Sequence, residues 1–247
     1  MIVLGIDFGG TGIKSALVDC ATGQLVSERV RVHTPHKAKP DDVGRLIHQL
    51  VLQHNWTGRV GIGFPAVICD GVALNAANIS KKWIGMDVAQ FISTQTGCSS
   101  HIINDADAAG LAEMTFGAGR DCADQVVLLL TVGTGIGTAV FTHGQLLPNT
   151  EFGHLQVKGA DAEKRVSDYV RRAKNLSWKK WSRRFQGFLD EMEKLLNPDV
   201  IIIGGGGSKY FDEFSGFLNT RASLRFAQFQ NTAGIIGAAL HAGASLK

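Results

Sequence analysis

The chain has 247 residues, 45% hydrophobic and 19% charged, enough apolar material for one large domain or two smaller ones and too much for wholesale disorder. Its 30 glycines cluster in turns instead of recurring every third residue, which excludes collagen-like and low-complexity chains. The net charge is only +3, yet residues 158–184 hold ten Lys or Arg against three acids, a local setting for a polyanion.

No apolar run reaches the ~20 residues of a membrane span. The first residues meet Asp7 without a preceding basic stretch, so they do not read as a signal peptide. Cys20, Cys69, Cys98 and Cys122 are scattered and form no CxxC pair. Neither a disulfide framework nor a zinc ribbon is expected, and the setting predicted is reducing and cytoplasmic.

In chain order, residues 2–6 predict a strand, GGTG at 9–12 a tight turn, and 17–18 part of a returning strand. Val43, Leu46, Ile47, Leu50 and Val51 recur at helical spacing behind Pro40, Asp41 and Asp42. Residues 60–64 and 101–103 read as strands, and 106–116 as a helix opened by Asn104 and Asp105. The first hairpin then repeats: GTGIGTA at 133–139 answers GTGIKSA at 10–16, between apolar runs at 126–130 and 140–141. Residues 177–196 form the clearest helix, which Asn197 and Pro198 end. Residues 200–203 are a buried strand running into four glycines at 204–207, and 231–246 a helix of small residues. Alternating strands and helices with a repeat half a chain apart predict a duplicated α/β fold. The lobes expected are 1–117 and 118–247, with the last helix a candidate to pack back on the first lobe.

Three glycine turns follow strands, and such turns aim backbone N–H groups at an anion. A P-loop is excluded, because Ile13 stands where glycine must precede Lys14 and Ser15. A dinucleotide fingerprint is excluded as well, because GTGI runs into a strand and not a helix.

GIDFGGTGIKSALVD at 5–19 resembles the first phosphate motif of the ROK sugar kinases, and LLLTVGTGIGTAVF at 128–141 the second. IIIGGGGSK at 201–209 resembles the family's adenosine segment, NDADAA at 104–109 its catalytic segment, and EFGH at 151–154 its ExGH sugar motif. Within the family, GIGFPAV, AANISKKWIG, PNTEFGH and LSWKKW are similar to the branch of polyphosphate glucokinases and polyphosphate/ATP glucomannokinases. The resemblance implies a two-lobe actin-like fold, ribonuclease H-like and duplicated, with an interlobe cleft. It implies a kinase that moves a terminal phosphoryl group from inorganic polyphosphate, with ATP as a further donor, to the 6-hydroxyl of glucose. A strictly ATP-dependent hexokinase for glucose, mannose or an aminosugar is the alternative. A family regulator would need a DNA-binding module, for which a strand beginning at Ile2 leaves no room, so no nucleic acid and no membrane are expected as partners.

The same resemblance distributes roles. Asp105 becomes the general base, although residue type alone allows it, like Asn104, to be only a helix cap. Asn78, Asn104, Asp105, Glu151, His154 and Glu163 would meet the sugar. Gly9, Gly10, Thr11, Gly12, Lys14, Thr134 and Gly135 would meet phosphates, with Gly205, Gly206 and Lys209 towards a nucleotide. Asp7 would hold Mg²⁺ through water. The family's CxCGxxGC segment is missing between His154 and Glu163, so no zinc site is expected. A homodimer is implied.

The basic helix stands apart from any resemblance. Trp178, Trp181, Phe185, Phe188, Leu189, Met192, Leu195 and Leu196 share one face, and Lys179, Lys180, Arg183 and Arg184 the other. Cations in the first turns oppose the helix dipole by ~0.3–1 kcal/mol per charge, which points to an anionic ligand. These four cations are the expected polyphosphate track, with a merely solvated basic face as the alternative.

Overall fold

A computed structural model describes residues 1–244. The chain divides into two compact units, one of Met1–Ala112 with the end of the chain from Thr232, the other of Glu113–Asn231.

The first unit is built on strands β1 (Ile2–Phe8) and β2 (Gly12–Asp19), a hairpin edged by β3 (Gln24–Leu25) and β4 (Val30–His33). Helix α1 (Pro40–Gln53) leads to β5 (Val60–Phe64), then to a small hairpin, β6 (Ile68–Cys69) and β7 (Val72–Ala73). Helix α2 (Val88–Thr96), β8 (Ser100–Asn104) and α3 (Asp105–Phe116) follow. The sheet order is β3-β2-β1-β5-β8, with β4 also paired to β2; β1, β5 and β8 run parallel.

The second unit repeats this plan. Strands β9 (Val127–Val132) and β10 (Ile136–Thr142) form its hairpin, edged by β11 (Gln145–Leu147). A small hairpin, β12 (Gln156–Val157) and β13 (Ala160–Asp161), precedes helices α4 (Glu163–Val166), α5 (Asp168–Ala173) and α6 (Trp178–Leu196). Strand β14 (Val200–Gly204), helix α7 (Phe211–Phe214) and β15 (Ser223–Phe226) complete it. The order β11-β10-β9-β14-β15, antiparallel at the hairpin and parallel beyond it, matches the first sheet, so the sequence repeat is a repeat of topology. Helix α8 (Ala233–Ala244) returns to the first unit. It begins after a single 3-10 turn at Gln230–Thr232, and the expected extension over 245–246 lies outside the described residues.

Strand alternation gives the first sheet two different faces. One carries Leu4, Ile6, Phe8, Ile62 and Phe64, which close on Val43, Ile47 and Leu50 of α1 and Val88 and Ile92 of α2. Edge-to-face contacts chain Phe8, Phe64, Trp83 and Phe91 at centroid distances of 5.2, 5.0 and 5.7 Å. The other face carries glycine. A Cβ on Gly5 would overlap the carbonyl oxygen of Ile235 in α8, and one on Gly61 that of Ala238. Within α8, a Cβ on Gly237 would overlap the carbonyl oxygen of Ala108 in α3. Helix, sheet and helix meet backbone to backbone, which suits a helix made mostly of Ala, Gly and Ile with His241 its one polar side chain.

In the second unit Leu128, Leu130, Ile201 and Ile203 pack under Trp181, Phe185, Phe188, Leu189 and Met192 of α6. Ser177 caps this helix and Asn197 ends it in the left-handed region, at φ 48°. Leu195 departs from the expected apolar face: it is 55% exposed, because the stripe narrows to Leu196 in the last turn.

Gly237→Ala should therefore destabilise the protein although alanine is the better helix former. The added methyl meets backbone that cannot swing aside, an overpacking worth roughly 1–3 kcal/mol. Gly187→Ala in α6, where a Cβ meets nothing within 4 Å, should instead gain up to about 1 kcal/mol. Thermal unfolding of both variants checks this; a Gly237→Ala protein as stable as its parent would contradict the close packing.

Candidate active site

The carboxyl ends of β1, β5 and β8 share one edge of the first sheet. Asp7 stands in register with Gly63, and Gly63 with Ile103; Phe64 is in register with Asn104. Ligand groups gather at such ends in α/β sheets because helices start there with unsatisfied N–H groups.

Asn104 is the cap of α3. Its Oδ1 accepts from the N–H groups of Ala106 at 2.9 Å and Asp107 at 3.1 Å, and its Nδ2 donates to the carbonyl of Ala66 at 3.1 Å. The side chain is 5% exposed and engaged at both ends, so it holds the helix start in place. Asp105, the first residue of α3, is half-buried, and its Oδ1 accepts from Ala106 N–H at 2.9 Å. The capping work that residue type left open between the two falls mainly to Asn104.

Asp7 pairs with Lys14 across the hairpin, Oδ2 to Nζ at 2.8 Å. Beside it, a Cβ on Gly234 would lie 2.9 Å from the Asp7 Cγ and 3.0 Å from its Oδ1. A Cβ on Gly63 would reach the Asp105 Cα at 3.6 Å and the Gly234 carbonyl oxygen at 3.7 Å. The starts of α3 and α8 thus converge over one strand glycine. Gly63 and Gly234 were not among the residues expected from the sequence; the glycine pair in GIGF was the available signal. Asp7 offers a hard oxygen beside a cradle that only glycine leaves open, which fits Mg²⁺ held through water. The first turn closes by Gly9 N–H to the Gly12 carbonyl at 3.1 Å, leaving Gly10 and Thr11 exposed. Asn78 is exposed in the loop after β7.

In the second unit the loop at 133–135 carries Thr134 and closes by Gly133 N–H to the Gly135 carbonyl at 3.0 Å. The Glu163 carboxylate lies against it: a Cβ on Gly135 would stand 2.5 Å from Glu163 Oε2. Gly153 has a packing reason of its own, since a Cβ there would overlap the Ile136 carbonyl oxygen, so the turn Phe152–His154 lies flat on β10. Glu151 precedes that turn and His154 ends it. His154 Nε2 is 3.8 Å from Glu151 Oε2, and its Nδ1 is 3.9 Å from Asp161 Oδ2. Glu151, His154 and Glu163 come together as the sequence led one to expect, joined by Asp161, which it did not.

Burial lifts the Glu151 carboxyl above the usual carboxylate value; His154 opposes that shift, and the Glu163 charge adds to it. The Lys164 ammonium, 2.7 Å away, together with Gln156 holds Asp161 below its ordinary value. His154, Asp161 and Glu163 each offer a ligand atom within 4.8 Å of the others. One imidazole and two carboxylates form an oxygen-rich set, and Asp161 is already engaged by Lys164 and Gln156.

The third glycine run rests on the root of this loop. Gly205, at φ 78°, could carry no Cβ without one 2.7 Å from the Val132 backbone, and Gly207 N–H donates to the Val132 carbonyl at 2.8 Å. Gly206 and Lys209 are exposed beside it, Lys209 Nζ 4.8 Å from the Tyr210 ring centre. On α6, Lys179, Lys180 and Arg183 are exposed and Arg184 half-buried, and none of the four forms an ion pair among the described residues. Arg171 and Arg172, by contrast, both pair with Asp168 at 3.0 Å. Among the described residues no helix is long and apolar enough to cross a membrane.

The model of the ROK family matches residues 3–168. The polyphosphate glucokinase of Mycobacterium tuberculosis (strain CDC 1551 / Oshkosh) is 44% identical over 96% of this chain and 89% of its own. That of Mycobacterium leprae is 42% identical over 96% of this chain and 73% of its own. The crystal structure of the inorganic polyphosphate/ATP-glucomannokinase from Arthrobacter sp. strain KM superposes with a TM-score of 0.96 at 40% identity, covering 99% of each chain.

Glu151 should titrate above the ordinary carboxyl value of 4.5. Removing the Glu163 charge with Glu163→Gln should lower its midpoint, and removing the imidazole with His154→Gln should raise it. Side-chain ¹³C NMR titration measures all three proteins; a Glu151 midpoint at or below 4.5 would contradict the burial.

Proposed function

The chain belongs to the ROK family, and on that premise we propose that it transfers the terminal phosphoryl group of inorganic polyphosphate to the 6-hydroxyl of glucose. It has the two-lobe actin-like α/β fold of that family. The main support is that one sheet edge gathers a phosphate turn, the Asp7–Lys14 pair and Asp105 in a chain 44% identical to a polyphosphate glucokinase over 96% of its length.

Asp105 is the proposed base. The glucose O6 attacks the terminal phosphorus, and the bond from that phosphorus to its bridging oxygen breaks. The shortened polyphosphate leaves with the bridging oxygen, and the O6 proton passes to the Asp105 carboxylate. A carboxylate is a weak base, but a loose transition state releases the proton late, so it suffices. Asn104 holds the base at the helix start. Glu151, His154 and Glu163 are the proposed partners of the sugar hydroxyls, a set rich in acceptors; Asp161 orients His154 from its other nitrogen. Asn78 is a further proposed sugar contact.

The turns at 9–12 and 133–135 bind phosphate through backbone N–H groups, with Thr11, Lys14 and Thr134. Asp7 would hold Mg²⁺ through water, and the ion when bound supplies charge neutralisation at the phosphates. ATP is the proposed second donor, with Gly205, Gly206 and Lys209 towards its nucleoside; the Arthrobacter neighbour is named for both donors. That name also supports mannose as a second sugar. Lys179, Lys180, Arg183 and Arg184 are the proposed track for the polyphosphate chain. The enzyme is taken to act in the cytoplasm as a homodimer, as the family resemblance implies.

Asp105→Asn tests the base. The amide keeps the shape but cannot take the proton, so kcat with polyphosphate should fall by at least the ~10²–10⁴-fold of general-base catalysis. Glucose binding, followed by calorimetry, should change little. A loss of only a few-fold in kcat would assign the proton to another group.

A further inference from the structure

One strong cation at the first phosphate turn has no part in the chemistry above. Strand β4 lies beside β2 with Arg31 opposite Lys14 and His33 opposite Gly12. Since Lys14 is itself opposite Asp7 on β1, the residues Asp7, Lys14 and Arg31 form a row across three neighbouring strands, on one face of the sheet. Lys14 is matched by Asp7 at 2.8 Å. Arg31 is exposed and makes no ion pair among the described residues.

Like charges directly opposite each other on antiparallel strands are destabilising, and an anion bound across them relieves the repulsion. The Arg31 guanidinium lies over the turn itself. A Cβ on Gly12 would stand 2.8 Å from Arg31 Nε and 3.3 Å from Nη2, so glycine at this position makes room for the cation. The end of β4 is tied to the same turn, because Thr34 Oγ1 donates to the Gly9 carbonyl at 2.6 Å. Along β4, exposed Arg31 and His33 alternate with half-buried Val30 and Val32. The stretch 29–39 adds Arg29, His36, Lys37 and Lys39 and contains no acid.

We propose that Arg31 is a phosphate-binding residue of the first turn, and that β4 carries the part of a linear polyphosphate adjoining the phosphate being transferred. The inference rests on the polyphosphate reading of the preceding section. A guanidinium suits the task because its planar fork meets two phosphate oxygens at once. A polyphosphate keeps presenting charge along the strand, whereas ATP ends in a nucleoside after its third phosphate.

The test is Arg31→Gln in the full chain, assayed at saturating glucose with long-chain polyphosphate or with ATP. The expected result is a fall of about ten-fold in kcat/KM for polyphosphate, carried by KM, as for loss of one charge-assisted hydrogen bond. The fall with ATP should be several-fold smaller. Log kcat/KM for polyphosphate should also depend less steeply on log salt, by roughly the 0.7 that one lost phosphate contact removes on a single strand. Arg31→Lys should recover part of the loss. Because Arg31 is exposed, unpaired and opposite Lys14, Tm should equal or exceed that of the parent, which separates a binding defect from misfolding. Equal losses with both donors would overturn the assignment to the polyphosphate chain, and no loss with either would overturn the binding role altogether. A parent protein that uses ATP but not polyphosphate would overturn the underlying reading along with this inference. A parent active on polyphosphate beside an unaffected variant would overturn this inference alone.

Discussion

The contact on which the first unit depends is the approach of α8 to the sheet at backbone distance. Gly5 and Gly61 admit the helix carbonyls of Ile235 and Ala238, and Gly237 admits the Ala108 carbonyl of α3. Each such glycine forgoes roughly 0.5–1 kcal/mol relative to alanine in regular structure, so the close packing has to offset it. With larger residues the helix would ride higher. Gly234 would then no longer lie beside the Asp7 carboxylate, and α3 would no longer begin over Gly63. The positions of Asp7 and Asp105 along one strand edge follow from this packing.

Charge divides between the units according to chemistry. The first sheet sets Lys14 and Arg31 around a glycine turn, with Asp7 paired to Lys14 and Arg31 without an ion pair among the described residues. The second unit gathers Glu151, Asp161 and Glu163 around His154. Cations with backbone N–H groups suit phosphate oxygens; carboxylates and an imidazole suit hydroxyl donors. Internal pairing sharpens the division. Lys164 and Gln156 occupy Asp161, and Asp168 occupies Arg171 and Arg172, while Lys179, Lys180 and Arg183 of α6 face solvent without an ion pair among the described residues.

Much of this was legible in the sequence wherever the signal was local. Both glycine hairpins, α1, α6 and the strand ending at Gly204 follow from periodicity, caps and breakers over a dozen residues. What stayed hidden depends on partners distant in sequence. Asn104 and Asp105 are equally good caps by residue type, and only the Ala66 carbonyl, 38 positions away, shows which side chain is bound at both ends. Gly12 reads as a turn residue, yet its Cβ position is claimed by Arg31 from another strand. Asp161 joins the Glu151 cluster through the two-residue strands β12 and β13, too short to leave a periodic trace. Leu195 shows the opposite error, a wheel position correct by angle that the end of the packed stripe leaves exposed.

The most direct measurement uses ³¹P NMR on the purified protein with glucose, Mg²⁺ and long-chain polyphosphate, and no nucleotide present. The structure and its relatives predict a growing phosphomonoester signal of glucose 6-phosphate, matched one for one by phosphoryl groups lost from the polyphosphate. A spectrum that stays unchanged with polyphosphate, while ATP under the same conditions yields the monoester, would contradict polyphosphate as the donor.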